Sequence, residues 1–110
     1  MALRGITVDG LSGSASDDQV WDLLGSLTGL GRDDALFAAR SGAARSRGYA
    51  RAAASHAAGG GAAAWTAMGP RTSVQDALDW AARYERAAAV LKRAVKAGRR
   101  SVLRSDLAAV

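Results

Sequence analysis

Thr72 to Gly98 reads TSVQDALDWAARYERAAAVLKRAVKAG, and this stretch decides the fold. Val74, Ala77, Ala81, Tyr84, Ala88, Leu91 and Val95 recur at alternating steps of three and four, which lines them up along one stripe of an α-helix. Leu78 widens the stripe, so Val74, Leu78, Ala81, Tyr84, Ala88, Leu91 and Val95 form the expected helix-packing seam. Thr72 with Gln75 and Ser73 with Asp76 have capping-box spacing, which places the helix start there. Asp76 and Asp79 lie in the opening turns, and Lys92, Arg93, Lys96, Arg99 and Arg100 crowd the end, as the helix dipole favours. Pro70 precedes the stretch and Gly98 closes it.

Outside this stretch large apolar residues are scarce. Leu, Ile, Val and Phe number 20 of the 110 residues, about 18%, close to the level at which a chain no longer folds on composition alone. Alanine fills the gap with 27 residues. It is the strongest helix former but buries little area per residue. The expected fold is therefore all-α: a small alanine-rich bundle of three to four helices built on one long C-terminal helix. One domain is expected over residues 1–110, with an extended segment at 1–13, helices over 14–98 and a basic tail at 99–110.

The rest of the chain supplies partners for the long helix. Gly5 to Gly10 alternates Ile6 and Val8 before an Asp-Gly turn and reads as a short strand. Ser101 to Leu103 is the other strand-like run, so the two termini are candidates to pair. Ser16 and Gln19 form a capping box ahead of Val20, Trp21, Leu23, Leu24 and Leu27, and Gly29 and Gly31 end that helix. A second helix begins near Asp33 and Asp34, with Gly42 and Gly48 as places where it can break. On it Leu36, Ala39, Ala43, Ala50, Ala54 and Ala57 share a smooth face. Gly59 to Gly61 form a hinge before a short helical piece with Trp65, and Ser105 is positioned to cap a last turn with Leu107.

No catalytic constellation stands out. His56, the single histidine, lies in an alanine run with no carboxylate at helical spacing. The pairs Asp17 with Asp18, Asp33 with Asp34, and Asp76 with Asp79 all fall at expected helix starts, where dipole and capping account for them. The glycine run lacks the Lys and hydroxyl residue of a phosphate loop. With no cysteine there is no disulfide framework or thiolate metal site. The chain is expected to be a non-enzyme with no cofactor, no metal and no small-molecule substrate.

Charge divides along the chain. Residues 1–31 carry Arg4 against Asp9, Asp17, Asp18 and Asp22, while the whole chain is net +5. The layout suits head-to-tail contact between copies or an anionic partner. Arg86, Arg93, Lys96 and Arg100 share one face of the long helix, and Arg40, Arg47 and Arg51 share one face of the second, so these seven are the candidate partner or phosphate contacts. Ala38 and Gly42 have helix-turn-helix spacing, but Ser41, Gly48 and Arg51 stand where that motif needs apolar residues. The expected role is a structural subunit of a larger homo-oligomer, for example a ring or connector component of a virus particle. A small basic DNA-binding protein is the alternative. The expected partners are copies of the chain, other subunits and, in the alternative, the DNA backbone. The N-terminus lacks the basic-then-apolar layout of a signal peptide, and no run is apolar enough for a bilayer, so a cytoplasmic or virion location is expected without a membrane partner.

Overall fold

The computed structural model describes residues 13–58, 70–99 and 101–110, with the side chains of 32, 56–58 and 70–73 outside that description. Among the described residues there are four helices and no strand: α1 (Asp17–Thr28), α2 (Arg32–Ala58), α3 (Pro70–Lys96) and α4 (Arg104–Ala108). The expected strand at Gly5 to Gly10, the glycine hinge and the piece with Trp65 lie outside the described residues. Ser101 to Leu103 is not a strand.

Each helix end has a local cause. At α1 the Ser16 hydroxyl accepts the Gln19 N–H at 3.2 Å and the Gln19 side chain accepts the Ser16 N–H at 3.0 Å, which satisfies two donors of the first turn. Gly31, at φ 93°, turns the chain into α2, a left-handed conformation that costs other residues energy. The α3 helix begins at Pro70, two residues before the expected start. Proline suits a first helical position because its missing N–H would have no partner there. At the other end Gly98 has φ 73°, with its N–H on the Val95 carbonyl and the Arg99 N–H on the Ala94 carbonyl, both at 3.0 Å. That pair of bonds is a Schellman stop.

Two helices of 27 residues carry the fold rather than one. Both α2 and α3 run about 40 Å at 1.5 Å per residue. They pair antiparallel, because Ala35 and Ala39 early in α2 cluster with Ala87, Val90 and Leu91 late in α3. Ala50 and Ala54 cluster with Ala77 and Leu78. Neither Gly42 nor Gly48 breaks α2. A Cβ on Gly42 would stand 2.5 Å from the Tyr84 ring, so the missing side chain lets that ring seat between the helices. Packing along α3 outweighs the roughly 1 kcal/mol that each interior glycine costs.

The alanine face of α2 is covered by the chain itself. Ala39, Ala50, Ala53 and Ala54 are buried. Along the seam, Leu78, Ala81 and Leu91 are buried, while Val74, Tyr84, Ala88 and Val95 are half-buried. In the second half of α3, Ala87, Val90 and Ala94 are buried beside Leu91 of the seam. The buried arc moves around the helix there because Val20, Leu24 and Leu27 of α1 and Leu107 of α4 pack on it from a second side.

Within 99–110, expected as a basic tail, the chain folds back and forms α4 (Arg104–Ala108). Leu107 is buried in the main core. The turn is capped by Asp106, whose carboxylate accepts the Leu103 N–H at 2.8 Å, and not by Ser105.

Candidate functional site

The outward side of α3 forms the floor of an open trough. One section, about 520 Å³, is lined by Ala89, Lys92, Arg93, Lys96, Ala97, Arg99 and Val110. The next, about 550 Å³, is lined by Gly13, Ser14, Ala15, Arg47, Ala82, Glu85, Arg86, Ala89 and Val110. Ala89 and Val110 belong to both, so the sections join. On α3 the positions Ala82, Arg86, Ala89, Arg93 and Lys96 follow steps of four and three, one line about 21 Å long.

Arg86 makes three hydrogen bonds in the trough. Its guanidinium donates to the Ala15 carbonyl at 3.0 Å, the Asp17 carboxylate at 2.8 Å and the Leu107 carbonyl at 3.3 Å. One side chain thus ties the lead into α1 and the end of α4 to α3. Arg86 is expected from its spacing to be one of the partner or phosphate contacts on a shared face of the helix. It is half-buried, because α1 and α4 cover that flank of α3.

Asp106 organises the far end. Its carboxylate is buried and accepts from Arg99 at 2.7 and 3.0 Å and from Arg93 at 3.3 Å. These bonds, the Arg99 pair foremost and then the Leu103 N–H, hold its pKa down at about 2 against the opposing effect of burial. The same pairing raises the Arg99 pKa. The Schellman turn at Gly98 is what brings Arg99 round to this carboxylate.

Two smaller contacts fix the near end. Asp79 accepts the Ser14 N–H at 2.8 Å and the Gln75 amide at 2.9 Å, and the Ser14 bond is the main cause of its lowered pKa. A Cβ on Gly13 would stand 2.1 Å from the Leu78 carbonyl oxygen, so the segment before α1 lies directly on the α3 backbone. Arg47 of α2 donates to Glu85 at 3.0 Å across the same wall.

Of the seven cations singled out from the sequence, Arg47, Arg86, Arg93 and Lys96 therefore line one trough. Arg40 and Arg51 are exposed on α2 and do not line it, and Arg100 is outside the described residues. The sequence reading omitted Lys92, Arg99 and Asp106 from the site. Lys92 was within reach of a spacing argument, being one turn before Lys96. The Arg99 and Asp106 pair depends on the chain reversing between them.

The acidic N-terminal residues meet the basic C-terminal part within one chain. Asp17 pairs with Arg86, and Asp18 pairs with Arg104, whose guanidinium also lies 5.5 Å over the Trp21 ring. Those two carboxylates therefore have cationic partners within the chain.

Three large aromatic side chains are exposed outside the trough. Phe37 is 73% exposed, Tyr49 62% and Trp80 43%, whereas the largest fully buried side chains are Leu24, Val20 and Val90. Phe37 lies two residues from both Ala35 and Ala39, which are buried, so it points to the opposite side of α2. Trp80 is covered on one face by Arg83 at 4.3 Å and contacts the Tyr84 ring at 5.9 Å between centroids.

Among the described residues no group of three or more His, Cys, Asp or Glu side chains is placed to hold a metal ion, and no helix is long and apolar enough to cross a membrane. Comparison with protein families, with characterised proteins and with solved structures finds no match to this chain.

Proposed function

We propose that this chain is a non-enzymatic assembly subunit that works by contact with other protein chains, copies of itself foremost, as in a ring or connector of a virus particle. The observation that carries this reading is the inversion of side-chain size: Phe37, Tyr49 and Trp80 face outward while alanine, valine and leucine fill the core. Exposed aromatic residues on a helical surface are characteristic of contact sites, because burying each one against a partner removes a large apolar area from water. The alanine face and the carboxylates Asp17 and Asp18 are engaged within the chain. Contact therefore falls on the exposed aromatic side chains of α2 and α3.

Native mass spectrometry across a concentration series tests this. The wild-type chain should form a discrete multi-subunit species, and Phe37→Ser with Tyr49→Ser should return it to monomer with its helicity intact, since both side chains are exposed. A wild-type chain that stays monomeric at all concentrations in physiological salt overturns the proposal.

A further inference from the structure

The trough on the other flank of α3 supports an inference independent of the assembly surface. We propose that it binds the phosphodiester backbone of a nucleic-acid strand, without reading sequence, and that Lys92 and Lys96 are the cations that meet phosphate directly. Among the described residues six cations line the trough. Four of them are arginines already paired with carboxylates of this chain: Arg47 with Glu85, Arg86 with Asp17, and Arg93 and Arg99 with Asp106. Three carboxylates against six cations leave an excess of three positive charges. Lys92 and Lys96 are exposed and, among the described residues, carry no ion pair. The paired arginines build the walls and raise the local potential; the lysines remain available to a ligand.

The shape favours a strand of regularly spaced anions. The floor is Ala82, Ala89 and Ala97, small side chains that let a backbone lie close to the helix. Lys92 and Lys96 are one turn apart, about 6 Å along α3, close to the interval between successive phosphates of an extended strand. An acidic protein segment would need pockets for apolar anchors to bind well, and here the apolar lining is alanine with Val110. Among the described residues no aromatic ring lines the trough to stack a base, so recognition stops at the backbone.

Fluorescence anisotropy with labelled single-stranded and duplex DNA of mixed sequence tests the proposal on the full chain. Wild-type protein should bind both, more weakly as salt rises. Lys92→Ala with Lys96→Ala should weaken binding at least tenfold and flatten the plot of log affinity against log salt by about 1.4 for a single strand and about 1.8 for a duplex. Arg40→Ala with Arg45→Ala removes the same charge from exposed positions of α2 outside the trough and should leave affinity within about twofold, since contacts to phosphate set the dependence. Three results would each overturn the proposal. The first is no binding by the wild type at low salt. The second is equal loss in both double variants, which would mean net charge alone. The third is polyglutamate competing as well as DNA, which would mean an acidic protein segment. Because Phe37 and Tyr49 do not line the trough, loss of DNA binding and loss of assembly are separable outcomes.

Discussion

Among the described residues the α2 and α3 pair has a thick end and a thin end. At the thick end α1 and α4 join the pair, and Val20, Leu24, Leu27, Val90, Leu91 and Leu107 pack with Ala35, Ala39 and Ala87. At the thin end Ala50 and Ala54 meet Ala77 and Leu78, with Val74 partly covering them. Both ends are fully helical, yet their burial differs several-fold, since a buried leucine contributes about 1.5–3 kcal/mol and a methyl group about 0.8. Helix continuity is therefore a poor guide to where stability resides. Local opening should begin at the thin end, where few apolar contacts resist it.

The largest expected effect sets the two ends against each other. Leu91→Asp puts an unpaired carboxylate into the thick core at a cost of several kcal/mol, comparable with the 5–15 kcal/mol that holds a domain of this kind together. The variant should lose most of its helical circular dichroism at 25 °C. Leu78→Asp at the thin end should lower the melting temperature and leave the thick end folded. Equal loss of helicity in both variants would abolish the distinction between the ends.

A smaller effect concerns how α4 is held on the thick end. The Asp106 pKa is lowered from an ordinary 3.8 to about 2, so its contribution is fully present above about pH 4 and is lost as pH falls toward 2. Acid titration followed by Trp21 fluorescence should show α4 leaving α1 in that window, because Trp21 packs against the main core and lies under Arg104. Asp106→Asn should shift the change out of that window, since the amide keeps an acceptor for Leu103 but carries no charge for Arg93 and Arg99. An unaltered acid profile in the Asn variant would show that α4 is held by Leu107 alone.

The smallest effect separates two glycines of α2 that look alike in sequence. Gly42→Ala meets the Tyr84 ring, whereas a Cβ at Gly48 meets nothing within 4 Å. Overpacking at Gly42 should cost about 1–3 kcal/mol and outweigh the gain in helix propensity. Gly48→Ala should stabilise by about 0.5–1 kcal/mol. Urea denaturation reads both, and a stabilised Gly42→Ala variant would mean that Tyr84 is not seated as described.

The sequence by itself determined that the chain is all-α, where α1 starts and how α3 ends. Those features rest on the Ser16 and Gln19 capping box, the step-three-and-four spacing of Val74 to Val95 and the glycine at 98, each settled among residues a turn or two apart. It also pointed to Arg86, Arg93, Lys96 and Arg47, because charge on a helix face is legible from spacing. Only the tertiary structure decided what those residues do. Arg86 reads as a solvent-facing cation until α1 and α4 arrive, 69 residues before it for Asp17 and 21 after it for Leu107, and make it a clamp. Gly42 reads as a weak point in α2 until Tyr84, 42 positions on, fills the space above it. Likewise residues 99–110 read as a charged tail until Asp106 is drawn in by Arg93 and Arg99. Periodicity fixes which residues share a face of a helix, but which face is buried depends on where the other helices pack, and among the described residues a second layer covers only half of α3.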